Sequence, residues 1–224
     1  MTATPATPDL TSYHAVHTAL RRGTRALARA AAELDPGDRR RTKAFARYWK
    51  GYEGEVHAHH TIEDDVFFPV LVERVPVAAE LIGRTDADHA RLDELMALVG
   101  GAVADLAAGR PSPVLVDGLR ELADLMDAHL AFEDADILPL FERHFTAEEY
   151  TELDDQAAKA LGISKQAAFT VPFIASMLDP DVLVHVFGDA PVAFRLLLRA
   201  TRRSHARLAA RALGPVVLHQ EVAA

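Results

Sequence analysis

Four long segments of the chain each carry one stripe of apolar residues with alternating steps of three and four. The first runs Tyr13, His17, Leu20, Thr24, Leu27, Ala31, Leu34, and the second Phe45, Trp49, Tyr52, Val56, His59, Glu63, Val66, Val70. The third runs Ala78, Ile82, Thr85, His89, Leu92, Met96, Val99, Val103, Leu106, and the fourth Leu115, Leu119, Leu122, Met126, His129, Glu133 and on to Leu140. Such spacing sets each stripe on one face of an α-helix. Turn signals separate the segments: Asp35-Pro36-Gly37, Pro69 to Pro76, and Gly109 to Pro113. Ser112-Pro113 predicts an N-cap followed by proline in the first turn, and Thr146-Ala147-Glu148-Glu149 a capping box opening a fifth helix. Further breaks fall at Leu161-Gly162, Asp179-Pro180 and Gly188 to Pro191. The expected fold is all-α: an up-down-up-down four-helix bundle over 1–145, with a helical C-terminal extension over 146–224 packed on it.

Six polar residues interrupt the stripes: His17, His59, Glu63, His89, His129 and Glu133. A buried carboxylate costs several kcal/mol unless something compensates it. Two carboxylates among four imidazoles can be satisfied by metal ions. Their heights agree as well. His17 lies 18 residues before Asp35, His59 lies 22 after Gly37, and His89 and His129 lie 20 before and 20 after Gly109. At ~1.5 Å per helical residue, all four imidazoles stand roughly 30 Å from the turns at one end, and so share a layer.

An internal repeat strengthens this. Residues 57–70, HAHHTIEDDVFFPV, align without gaps to 127–140, DAHLAFEDADILPL, with the frame Ala-His-x-x-x-Glu-Asp-x-x-x-x-Pro at an offset of 70. His17 and His89 align at an offset of 72. The first 145 residues therefore read as a duplicated helical hairpin, each copy supplying one isolated His and one His-x-x-x-Glu. His57 and His60 can pair with Asp64, but only the His59–Glu63 register recurs in the second copy. Positions i and i+4 face the same way on a helix, so each pair can close on one metal or bridge to a second. Pseudo-two-fold symmetry suggests two metals. Nitrogen and oxygen donors without sulfur permit Fe, Mn, Zn or Co. No His-Glu-x-x-His or Glu-x-x-His occurs, so the site is richer in nitrogen than a ferritin-type one.

Composition narrows the function classes. Among 224 residues there are 11 His and no Cys, which excludes disulfides, thiolate catalysis and Cys-ligated metal sites. The formal net charge of −9 argues against a nucleic-acid or membrane-surface partner. No apolar run reaches membrane-spanning length, and Met1 to Leu10 carries no secretory pattern, so the expected location is cytoplasmic.

Over residues 10–145 these motifs resemble the hemerythrin-like (His-His-Glu cation-binding) family: two His-x-x-x-Glu pairs, each followed by an apolar-Pro helix end at Pro69 and Pro139, with an isolated His before each. The resemblance implies a four-helix bundle holding two iron ions, bridged by two carboxylates and an oxo or hydroxo group. It implies His17, His59, Glu63, His89, His129 and Glu133 as ligands, with both glutamates bridging. Oxygen-carrying members use five His and a His-x-x-x-His pair, which is absent here. Four His and two Glu resemble instead the members linked to nitric oxide, peroxide and iron-centre repair. His14 and His60, beside the stripe, are candidates for a fifth ligand.

The expected function is a di-iron protein that binds and turns over O2, peroxide or nitric oxide. The alternative is an iron or oxygen sensor, or an iron-delivery module, without multiple turnover. A bundle holding zinc or no metal is the third reading. No flavin or iron–sulfur signature names an electron donor, and monomer and homodimer are both open. Tyr13, one turn before His17, is either a donor to a metal-bound oxygen or an end-of-core tyrosine; Trp49 and Tyr52 read as core. Asp64 and Asp134 either orient ligand imidazoles or belong to a solvated face. His57, His144, His185, His205 and His219 are expected at the surface. Residues 191–214 read as an amphipathic helix packed through Val192, Phe194, Leu196, Leu197 and Leu208, with its six Arg solvated or paired to the acidic bundle; the other reading is a basic helix for a partner or nucleic acid.

Overall fold

The apolar stripes fold as helices, and in the computed structural model of the chain they pack around a shared core. The structure describes residues 6–188 and 190–214. Among them there is no strand. The four long helices are α1 (Thr11–Ala32), α2 (Arg39–Ile62), α4 (Ala78–Ala107) and α5 (Val114–Phe132). Helix α1 packs most extensively on α5; α5 also packs on α4, and α4 on α2. The Asp38 carboxylate caps α2 by accepting from the backbone N–H of Arg40 and Arg41. Ser112 does not cap α5 through its side chain. Pro113 already has helical dihedrals at the N-cap position, so the helix opens at Val114, and the Ser112 carbonyl accepts the Leu115 N–H.

Pro69 and Pro139 do not end their helices. A five-residue π-helical turn, Glu63–Phe67 and again Glu133–Ile137, leads into the short helices α3 (Phe68–Arg74) and α6 (Leu138–His144). The Phe68 N–H reaches back five residues to the Glu63 carbonyl, and the Leu138 N–H likewise to Glu133. A proline within an α-helix lacks an N–H and collides with the carbonyl four residues back. Widening that turn removes the collision and lets the helix continue past the proline. Single π turns of this kind concentrate at functional sites, and here each begins at a stripe glutamate.

Four further helices follow: α7 (Ala147–Leu161), α8 (Ala167–Met177), α9 (Pro180–Gly188) and α10 (Val192–Leu213). The Thr146 capping box forms with both of its reciprocal hydrogen bonds to Glu149. Helices α1 and α2 touch each other only sparsely, because α8 and α10 occupy the seam between them. Glycines permit the approach: a Cβ on Gly23 would lie 2.8 Å from the Phe173 ring, and one on Gly51 2.3 Å from the Phe169 ring. Two apolar clusters result. One gathers Leu20, Val56, Leu92 and Met126 with Phe173 and Leu213; the other gathers Tyr13, Phe67, Ile137 and Phe141 with Tyr150. In sequence, His17, His59 and His89 fall between members of the two clusters on α1, α2 and α4, while on α5 His129 lies among members of the first.

The packing of α10 differs from the expectation. Val192 and Leu196 are 60% and 61% exposed, and the buried residues are His205, Ala209, Ala212 and Leu213. Small side chains bring α10 against α2 more closely than leucines would. All six arginines are exposed, as expected of the solvated face. His205 is not a surface residue: it is enclosed by the rings of Tyr48, Phe169 and Phe173. His57, His144 and His185 are exposed, and His219 lies outside the described residues.

Burial lowers the His205 pKa to about 4. The imidazole is thus neutral in the fold but takes a proton in the unfolded chain near pH 6.5. Stability is therefore lost as pH falls from about 6.5 toward 4. His205→Phe is expected to remove this component, so that the difference between the two proteins' denaturation free energies changes by roughly 3 kcal/mol across that window. Urea titrations of both proteins at several pH values check it.

Candidate metal centre

All six predicted residues meet between the two apolar clusters, and each is at most 7% exposed. Helix α1 supplies His17, α2 supplies His59, α4 His89 and α5 His129; the glutamates open the two π turns. The carboxylates stand between two groups of imidazoles. Glu63 Oε1 lies 3.2 Å from His59 Nε2 and 3.9 Å from His17 Nε2, and its Oε2 lies 3.6 Å from His89 Nε2. Glu133 Oε2 lies 3.5 Å from His17 Nε2, and its Oε1 lies 3.5 Å from His129 Nε2 and 4.0 Å from His89 Nε2.

A fifth imidazole joins them. His60 is 6% exposed and stacks on His89, with ring centroids 3.8 Å apart. Buried potential ligand atoms fall into two sets, each within 4.8 Å: His17, His59, Glu63 and Glu133 in one, and His60, His89 and His129 in the other; a third set joins His89 to the exposed Asp64 and Asp86. The other candidate, His14, is exposed and lies outside these sets. The repeat did not mark His60 as a ligand, because the recurring pair is His59 and Glu63. The counterpart of His60 is Leu130, a residue buried in the core, so the site faces inward in both copies.

The chemistry of these donors fits metal. Nε2 of His17, His59, His60, His89 and His129, with Glu63 Oε2 and both Glu133 oxygens, are buried without a hydrogen-bond partner among the described residues. Buried polar groups are normally paired, so eight converging orphans require a common partner. A cation is one partner that suits all of them. Three of the imidazoles are held ready to bind it, whereas burial of His17 is outweighed by Asp134 and Glu63, which raise its pKa. Burial, with the neighbouring imidazoles, lowers the pKa of His59 well below its usual value, that of His60 to about 2 and that of His129 to about 3. Neutral imidazole is the metal-binding form. Burial and the facing Glu63 raise the Glu133 carboxyl well above the ordinary range, a like-charge conflict that a cation relieves.

Surrounding groups orient the ring. Asp134 accepts from His17 Nδ1 at 2.8 Å, from His14 at 3.1 Å and from Arg21 at 2.7 Å. Burial opposes ionisation of this carboxyl, but these bonds hold it well below the usual carboxylate range. An acceptor on Nδ1 leaves the His17 Nε2 lone pair aimed at the centre. Asp64, its repeat counterpart, stands 3.8 Å from His89 Nδ1, too far for a hydrogen bond. Asp134→Ala is expected to weaken metal binding by 10- to 100-fold, read by competition with a chelator. Tyr13 faces the centre: its hydroxyl donates to Glu63 Oε1 at 2.6 Å.

The hemerythrin HHE cation binding domain matches residues 10–141. The chain belongs to this family. The matched span contains both His-x-x-x-Glu pairs, both isolated histidines and His60, so the hemerythrin domain supplies every member of the cluster. The HHE protein extends beyond the match through α7 to α10. No curated protein and no solved structure matches the chain.

A cavity of about 540 Å³ opens beside the hemerythrin centre, lined by Tyr13, His59 and Glu63 on the bundle side and by residues of α7 to α10 on the other. Sequence reasoning found no motif in those later helices. Among the described residues, no helix is long and apolar enough to cross a membrane.

Proposed function

We propose that the chain is a non-haem di-iron protein that binds and turns over O2, peroxide or nitric oxide. The observation that carries this is the placement of two carboxylates between two sets of unpartnered imidazoles. In this reading His17 and His59 would hold one ion and His60, His89 and His129 the other, with Glu63 and Glu133 available to both. The four-His set expected from the sequence thereby becomes a five-His set. A pair of irons, when bound, supplies open coordination positions and exchangeable electrons for small oxidants.

The chain's own residues set the conditions. Burial and the two glutamates raise the Tyr13 pKa well above the ordinary phenol value, so its hydroxyl stays a donor at any working pH. Asp134 fixes the His17 tautomer. The bundle occupies 1–145 in up-down-up-down order and 146–224 forms the extension. In support, successive long helices run alternately from one apolar cluster to the other: Tyr13 to Leu20, Val56 to Phe67, Ala78 to Leu92, Met126 to Ile137.

The test is rapid mixing of the reduced, iron-loaded protein with O2, nitric oxide and peroxide in turn. We expect the iron absorption spectrum to change with at least one of them and the reaction to repeat when a reductant is present. Spectra unchanged in all three overturn the reading. A single stoichiometric change without turnover assigns the chain to sensing or iron delivery instead.

A further inference from the structure

The 540 Å³ cavity is far larger than a diatomic ligand needs, since one water in the liquid occupies about 30 Å³. It falls within the size range of sites that take drug-sized organic molecules. Its walls are mostly apolar, with Val171 and Ile174 from α8 and Phe194 from α10 facing residues of α1, α2 and α7. Its charged side chains are of one kind. Glu55 lines it while 3% exposed, Asp154 is partly buried, and Asp9 and Asp155 lie at exposed positions. No Lys or Arg lines it among the described residues. Glu55 is held by the neutral hydroxyl of Thr170, and Asp9 bonds His185 at 2.8 Å, which leaves Glu55 and Asp154 without a cationic side chain across the cavity. A separate observation points to an occupant: the Tyr150 hydroxyl, in the same wall, is buried and has no hydrogen-bond partner among the described residues.

We propose that this cavity binds an apolar organic amine, with its ammonium group facing Asp154 and Glu55, its nitrogen or a polar substituent within reach of the Tyr150 hydroxyl, and its apolar body against Val171, Ile174 and Phe194. An acid-lined apolar cavity discriminates by charge. Burial raises the Glu55 carboxyl pKa to about 7 and raises that of Asp154 as well, a penalty on their ionisation that a bound ammonium offsets and an anion of the same shape adds to. The cavity also borders Tyr13, His59 and Glu63, so a bound molecule lies beside the metal cluster. The inference goes beyond the redox reading and does not depend on which ion the cluster holds.

The test uses three probes with one skeleton: 4-phenylbutylamine, 4-phenylbutanol and 4-phenylbutyrate. Each is titrated calorimetrically into the full chain as purified, with metal content measured on the same sample. The amine is expected to bind roughly tenfold or more tighter than the alcohol, and the carboxylate not to bind. Asp154→Asn and Glu55→Gln keep side-chain shape and are each expected to lower the amine preference several-fold with metal content unchanged. Ala158→Trp, which places an indole in the cavity from α7, is expected to abolish binding, with far-ultraviolet circular dichroism confirming the fold. Equal affinity for amine and alcohol, amine binding unaffected by both Ala158→Trp and the carboxyl variants, or no binding by any probe overturns the proposal. None of these outcomes bears on the redox reading, which the iron spectra decide separately.

Discussion

Glu63→Ala is expected, on the proposed two-ion reading, to empty the centre, taking metal content from about two per chain to near zero after dialysis against a mild chelator. Removing a terminal imidazole weakens one ion, but Glu63 faces both sets: Oε1 toward His17 and His59, Oε2 toward His89. On the two-ion reading, its loss would remove an anion shared by two dications and leave their mutual repulsion opposed by Glu133 alone. The vacated volume also leaves the Tyr13 hydroxyl, which donates to Glu63 at 2.6 Å, without its acceptor. His60→Ala makes the informative contrast. If His60 ligates, this variant loses one ion, as His129→Ala does; if it only stacks on His89, content stays at two. Elemental analysis of the three variants separates the outcomes, and full metal retention in Glu63→Ala would remove the bridging role.

Much of this centre was legible because the duplication and the helical period constrain the same residues twice. His59 and Glu63 match His129 and Glu133 in type, spacing and following proline, and the structure brings all four to one layer. His60 was harder to read. A step from Val56 to Glu63 can pass through 59 or 60 with equal regularity, and the repeat has Leu130 where ligand chemistry would have marked it. The π turns were hidden for a different reason. Proline is a strong terminator in an α-helix, and nothing local to Phe68-Pro69 says that the turn before it widens. The C-terminal helices follow a third case. Hydrophobicity pointed to Val192, Phe194, Leu196, Leu197 and Leu208 as the contact face of α10. Leu208 does pack on the core and Phe194 and Leu197 are half-buried, but Val192 and Leu196 are exposed. Packing against α2 and α8 buried the small residues Ala209 and Ala212, with His205 between aromatic rings. Side-chain size, more than apolar character, decides which face of a late-docking helix is buried when glycines on its neighbours invite close approach. The cavity beside the centre arises from that docking, so no motif announces it.

Stripping the metal is expected to lower the midpoint of thermal unfolding by roughly 10 °C or more at neutral pH. A ligand present at a thousand times its dissociation constant stabilises by about 4 kcal/mol, and for a domain of this size each kcal/mol moves the midpoint by about 2–4 °C. The pH dependence of the metal-free chain carries a sharper signature. Burial depresses His59, His60 and His129, so these imidazoles stay neutral in the fold while the unfolded chain takes up their protons near pH 6.5. Stability from these groups is lost as pH falls below that value. Glu133 acts in the opposite sense, because its raised pKa lets the fold hold a proton that the unfolded chain releases above about pH 4.5. Three imidazoles against one carboxyl leave an excess of about two protons on the unfolded side. The slope is then on the order of 3 kcal/mol per pH unit between about pH 6 and 5, against a total stability of about 5–15 kcal/mol. The metal-free chain should therefore unfold in mild acid. In the loaded protein the same lone pairs bind cations, so protons must first displace the metal, and acid lability appears as metal release preceding unfolding. Circular dichroism and metal release followed together through an acid titration check the order of events, and coincident acid unfolding of the loaded and metal-free proteins would show that the cluster contributes nothing to the fold.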